Sequence, residues 1–297
     1  MWFVLAIVAL AAAGAPAGGT PQPLTVAAQV THGGYDSPSF APDGRRVALL
    51  SLAGGREQLA VMDLDGGGVR ALTSDAFDHE DPAWSPDGQW IAYVSMASGG
   101  EAIHLVRPDG TGDRVLTPPG QRVIHPSWSP DSHTLFYCTD DDLKPPAKND
   151  SEIWALDVRT GAARPVITGG VNTYPVMSRD GRRLAFRRMV GETNSEVWSA
   201  RADGSDQRNL TNSPAFDGWP AWSPDGRTLA FASNRDGNHR IYLMDPDGGR
   251  VRLLADTPGR GTAPQWTPDG RSIWFPVCQR VAGTPPCEIY SATPPRR

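Results

Sequence analysis

The sequence predicts an all-β chain folded as a six-bladed β-propeller with four antiparallel strands per blade. Three observations carry that expectation. A heptapeptide related to Pro-Ala-Trp-Ser-Pro-Asp-Gly recurs six times along the chain, which is the mark of a repeat architecture. Short apolar or alternating segments of strand length follow each copy. Gly and Pro together, 32 and 28 residues, make about a fifth of the 297 residues, more turn punctuation than long helices tolerate.

The best copies are Pro82 to Gly88 and Pro220 to Gly226. Phe40 replaces Trp in Pro38 to Gly44, Ser132 replaces the final Gly in Pro126 to Ser132, Met177 and Arg179 depart in Pro175 to Gly181, and Thr267 replaces Ser in Pro264 to Gly270. Their aspartates stand at 43, 87, 131, 180, 225 and 269, so the spacings are 44, 44, 49, 45 and 44 residues. Four short strands fit that period.

Each element has a local reason. The heptapeptide's Trp lies on the first strand, where Trp84, Trp128, Trp222 and Trp266 are suited to filling the gap between neighbouring sheets. In the following turn Pro presets the first position, Asp bonds nearby amides and Gly accepts positive φ. Segments such as Trp90 to Val94 or Thr228 to Ala232 form the second strand, and Ile241 to Asp245 or Ile153 to Asp157 the third. An Asp-Gly or Thr-Gly turn then leads to a fourth strand ending in Leu-Thr or a variant, as at Leu72-Thr73, Leu116-Thr117, Ile167-Thr168 and Leu210-Thr211. The sixth repeat stops after Ile289 to Ala292 without a fourth strand. Gln29-Val30-Thr31, nine residues before Phe40 as Val166-Ile167-Thr168 is before Met177, is expected to complete that last blade and close the ring, removing free edges.

Residues 1–21 read as a leader: an apolar run from Trp2 to Ala13 and an Ala15-Pro16-Ala17 cleavage site, although no Lys or Arg precedes the run. Residues 22–297 are then the propeller, expected as a periplasmic or secreted monomer with no membrane span once the leader is removed. In an oxidising compartment Cys278 and Cys287, flanking Gly283 to Pro286, either form a disulfide across a hairpin or remain half-buried thiols. Cys138 reads as a small core residue. A net charge of -5 gives no positive field of the kind that draws a chain onto nucleic acid.

The Trp-Ser-Pro-Asp-Gly copies, with their Leu/Ile-Ala-Phe/Tyr and Ile-Tyr-Leu-Met-Asp strands, resemble the repeats of the TolB-like propeller family and of the propeller domains of prolyl oligopeptidase-type enzymes. The resemblance covers about residues 22 to 295 and implies the fold. It also implies an envelope setting, since TolB itself is periplasmic and binds a peptidoglycan-associated lipoprotein. The oligopeptidase kinship implies a hydrolase domain, but no Gly-x-Ser-x-Gly elbow is present.

A recognition surface differs from repeat to repeat, whereas structural anchors do not. The residues just before each anchoring Pro vary and are expected to surround one mouth of the channel. Asp36, His79, Glu80, Asp81, His125, Tyr174, Asp217 and Trp219 are therefore the candidate ligand-binding residues, with Trp219, Tyr174 and His125 as anchors. The Asp140 to Asp150 loop, which lengthens one interval, belongs to the same face. The reading is a binding scaffold for a cell-envelope protein or peptide, with no catalytic residue, metal or cofactor assigned. The alternative is a small hydrolase or lyase with a metal or acid/base site built from His79, Glu80, Asp81 and His125. Asp63-Leu64-Asp65-Gly66 and Asp245-Pro246-Asp247-Gly248 lack the downstream ligands of calcium loops and read as hairpin turns.

Overall fold

A computed structural model describes residues 25–52, 55–97, 99–118, 122–139, 150–191, 193–279 and 287–295. The leader, the body of the 140–149 loop and the Gly283 to Pro286 segment lie outside the described residues.

Six antiparallel sheets follow one another in chain order. Blade 1 comprises Tyr35–Phe40, Arg46–Ser51, Gln58–Asp63 and Arg70–Ala71, and blade 2 His79–Trp84, Ile91–Ser95, Ala102–Val106 and Arg114–Val115. Blade 3 comprises Val123–Trp128, Thr134–Thr139, Ile153–Asp157 and Ala163–Ile167, and blade 4 Asn172–Met177, Arg183–Met189, Ser195–Arg201 and Arg208–Asn209. Blade 5 runs through Asp217–Trp222, Leu229–Ser233, Arg240–Met244 and Arg252–Leu253. In blade 6 the first strand is split into Arg260–Gly261 and Gln265–Trp266, followed by Ile273–Cys278 and Cys287–Ala292, and Ala28–Gln29 pairs antiparallel with that last strand. Thr25–Val26 also pairs with Ala255–Asp256, in parallel.

The recurring heptapeptide builds a clamp rather than a simple turn. In blade 2 the Ser85 hydroxyl donates to Asp87 at 2.6 Å and accepts the Trp90 amide at 2.9 Å, while Asp87 accepts the Gln89 amide. Ser129, Ser178, Ser223 and Thr267 repeat the arrangement with Asp131, Asp180, Asp225 and Asp269. The hydroxyl bond and then a backbone amide hold the Asp131 and Asp180 carboxyls below the usual range. Ser132, standing where the other turns have Gly, still takes φ 61°, and its hydroxyl accepts the Asp87 amide from the neighbouring blade.

The core lies between blades as a series of separate apolar clusters. The first-strand tryptophans sit in these seams. Trp128 Nε1 donates to the Ala83 carbonyl at 2.9 Å and Trp266 Nε1 to the Ala221 carbonyl at 3.2 Å, each reaching back one blade. Phe40, in place of Trp, meets Trp274 of blade 6 edge-on at 5.1 Å. The Leu-Thr endings have a function too: the Thr73, Thr117 and Thr211 hydroxyls accept the amides of Leu59, Ile103 and Val197 in the third strands.

Cys278 and Cys287 are directly opposite in register and bonded to each other. Cys138 is buried. No helix among the described residues is long and apolar enough to cross a membrane.

Candidate functional site

Proline cannot donate to a sheet ladder, so each anchoring Pro interrupts the pairing of its first strand. The register slips across it in five blades, between Asp36 and Ser39, Glu80 and Ala83, Ile124 and Ser127, Thr173 and Val176, and Gly218 and Ala221. In blade 6 the same position separates the two halves of the split strand.

The residue before that Pro is left-handed in every blade. Ser37, Asp81, His125, Tyr174, Trp219 and Ala263 have φ of 50, 51, 53, 53, 52 and 40°. A residue before proline ordinarily prefers an extended conformation, and a non-glycine residue at positive φ costs roughly 1–3 kcal/mol. The bulge turns the pre-proline side chain out of its strand, and all six residues line one cavity of about 260 Å³ at the propeller axis. The cavity leads to a second space lined by Ser39, Trp84, Trp128, Val176, Gln265 and the residues beyond them, toward the Pro-Asp-Gly face.

Contacts tie the rim together from blade 2 to blade 5. The Asp81 carboxylate accepts the His125 amide at 3.1 Å and lies 3.6 Å from His125 Nε2. The His125 and Tyr174 rings lie 3.5 Å apart at a tilt of 32°, Tyr174 and Trp219 approach at 5.5 Å, and Trp219 meets Phe216 at 5.1 Å. Burial, with the nearby Arg187 charge, holds the His125 imidazole well below its ordinary pKa. Burial, with Arg260, pushes His239 behind the Phe216 ring down to about 4. The site is thus an aromatic wall with neutral imidazoles and one carboxylate, suited to holding a ligand by shape and ring contacts.

Of the eight residues singled out in the sequence, Asp81, His125, Tyr174 and Trp219 meet at this cavity, and Asp36, His79, Glu80 and Asp217 do not line it. His79 is buried, with Nε2 3.2 Å from Asp75 and its ring against Tyr93. Asp217 is wholly buried and pairs with Arg235 at 3.0 Å. Asp36 bonds the Ser37 amide, and burial raises its carboxyl above the usual range. Its oxygen, Cys278 and Cys287 form a tight group of potential metal-binding atoms, but the two sulfurs are joined in the disulfide and supply no thiolate. Glu80 stands opposite Val94 in the ladder.

Two further groups shape the site: Cys138, the expected core residue, and Arg187, which the sequence did not single out. Cys138 places its Sγ 3.1 Å from His125 Nδ1 and so fixes that ring from behind. Arg187, in the middle of a second strand, brings its guanidinium to 4.9 Å from the Tyr174 ring, 5.8 Å from Phe216 and 5.9 Å from Trp219. Neither has a signal near the Pro-Asp-Gly repeat.

The sequence profile described as the TolB beta propeller domain matches residues 24–145 and 102–283. The Tol-Pal system protein TolB of Nitratidesulfovibrio vulgaris is 37% identical over 62 residues, 21% of this chain and 14% of that protein. The chain therefore spans a minor part of the curated relatives it matches. The crystal structure of TolB from Acinetobacter baumannii superposes with a TM-score of 0.69 at 21% identity, covering 84% of this chain and 64% of that one. An oligogalacturonate lyase in complex with manganese superposes with a TM-score of 0.62 at 18% identity over 89% and 90% of the two chains. At these identities the superpositions speak for the fold alone.

Proposed function

Because the chain belongs to the TolB beta propeller domain family, we propose that it is an exported binding scaffold that holds a protein or peptide segment of the cell envelope at the mouth of its channel. The observation that supports this reading most is the rim itself. Six blades deliver six pre-proline side chains to one cavity through the same strained backbone, yet no two of the side chains are alike. Repeated geometry with unrepeated chemistry is what a recognition surface on a rigid scaffold requires. The Tol-Pal system name of a curated relative agrees with an envelope partner.

The test is cross-linked capture from the native cell envelope by the mature protein and by a Tyr174→Ala/Trp219→Ala variant. Capture of one partner by the wild type, with the variant losing it while still folding to the same circular dichroism spectrum, supports the assignment. Equal capture by both forms sinks it.

A second reading, a lyase or hydrolase site at the same mouth, draws on the likeness of fold to the manganese-bound lyase and on the Asp81–His125 approach at 3.6 Å. Stoichiometric metal in the purified protein, lost on His125→Ala, would favour it.

A further inference from the structure

Arg187 is 2% exposed, and among the described residues its Nε and Nη2 have no hydrogen-bond partner. It forms no ion pair among the described residues. Buried guanidinium groups are ordinarily paired, because an unpaired buried charge is strongly destabilising. Three aromatic rings, those of Tyr174, Phe216 and Trp219, lie around the cation, but a ring is no substitute for the oxygen acceptors that guanidinium N–H donors ordinarily take. The space for it is built in: a Cβ on Gly218 would lie 3.0 Å from Arg187 Cδ and 3.2 Å from the Phe216 ring. A second guanidinium, that of Arg260, stands 5.6 Å from the Trp219 ring. Burial first, and then these two positive centres, lower the pKa of the His125 and His239 imidazoles.

We propose that Arg187 is the counter-charge for a carboxylate carried by the ligand of the mouth cavity. Arg187 packs against the Tyr174 and Trp219 rings but does not itself line the cavity, so the carboxylate passes between those rings, with one of them turning aside, to reach the Nε and Nη2 donors that the described residues leave unused. Guanidinium suits such planar bidentate pairing better than ammonium does. The inference rests on the binding-scaffold reading and names its ligand class: a peptide presenting either a free C-terminus or an acidic side chain at an aromatic-lined pocket.

Three probes separate the sources: acetyl-Gly-Phe-Gly with a free C-terminus, the same peptide as its C-terminal amide, and acetyl-Gly-Glu-Gly amide. Each is titrated into the full-length protein while tryptophan fluorescence and melting temperature are followed. Either carboxylate probe should bind at least tenfold more tightly than the neutral amide, and which of the two binds identifies the source. Arg187→Met should abolish the difference and Arg187→Lys should retain part of it. Wild-type protein that binds the acid and amide forms alike, or none of the three, overturns the proposal without relying on any variant. If the envelope partner is nevertheless captured through Tyr174 and Trp219, the scaffold reading stands and only the carboxylate inference falls.

Discussion

Thr31 and Glu288, near opposite ends of the chain, make the contact that Thr211 and Glu196 make within blade 4. The Thr31 hydroxyl donates to Glu288 Oε2 at 2.8 Å and accepts the Ile289 amide at 2.9 Å, as the Thr211 hydroxyl donates to Glu196 and accepts the Val197 amide. Glu288 Oε1 additionally accepts the Gly33 and Gly34 amides. Position for position, the segment at 28–31 occupies the place of a fourth strand in blade 6.

Ring closure through that segment is a proposal with a direct test. Hydrogen bonds to a charged group are worth about 1.5–3 kcal/mol each, and the three at Glu288 are not additive, so Glu288→Ala is expected to cost roughly 2–4 kcal/mol. Deleting residues 22–31 should expose the Cys287–Ala292 edge. Hydrogen exchange at the 287–292 amides checks both variants; protection unchanged in the deletion would show that closure does not depend on this strand.

Blade 1 lacks one half of the clamp that the other blades share. Ala41, 1% exposed, stands where they have Ser or Thr, although Asp43 still accepts the Arg45 amide. Ala41→Ser should let Asp43 and the Arg46 amide complete the pattern, stabilising the protein by about 0.5–1.5 kcal/mol. Chemical denaturation midpoints measure this, with Ser223→Ala as the reverse experiment in blade 5, expected to destabilise by a similar amount.

The cross-strand disulfide closes a loop of nine residues' separation, for which chain-entropy arguments give about 2–3 kcal/mol. Cys278→Ser/Cys287→Ser should lower stability by no more than that, and dithiothreitol should lower the wild-type midpoint but leave the double variant unaffected.

Three buried or half-buried histidines make the fold sensitive to mild acid. His79, His125 and His239 are all depressed by burial, His239 to about 4, whereas the unfolded chain titrates near an ordinary value of about 6.5. The unfolded state therefore binds more protons between those limits, and these groups make stability fall as pH drops from 6.5 toward 4. Asp36, Glu57 and Glu196, raised by burial, act in the opposite sense as they protonate. Comparing His239→Phe with wild type isolates one term: its urea midpoint should decline less between pH 6.5 and 4.5. Parallel declines would assign the sensitivity elsewhere.

The architecture was legible because its determinants repeat. Pro, Asp and Gly act within a few residues of one another, and six copies reveal them together. The rim was legible only in part, because the pre-proline position ordinarily reads as extended and nothing local announces that it bulges into the left-handed region. Without the bulge, Asp36, Glu80 and Asp217 are as good candidates for the mouth as their neighbours. With it, only the last residue before each Pro faces the axis. Arg187 was out of reach for a different reason: its neighbours Tyr174 and Trp219 belong to other strands and Phe216 to the loop before one of them, and its missing partners are visible only once the chain is folded.

The left-handed residue ahead of each proline separates two tasks that most binding loops combine. The proline and the slipped register set where a side chain goes, and the side chain remains free to differ; the six positions hold Ser, Asp, His, Tyr, Trp and Ala. None is glycine, although glycine would relieve the strain. The rim is thus a set of sockets whose contents can be exchanged without rewriting a strand. A library varied only at 37, 81, 125, 174, 219 and 263 would sample new specificities on an unaltered wheel.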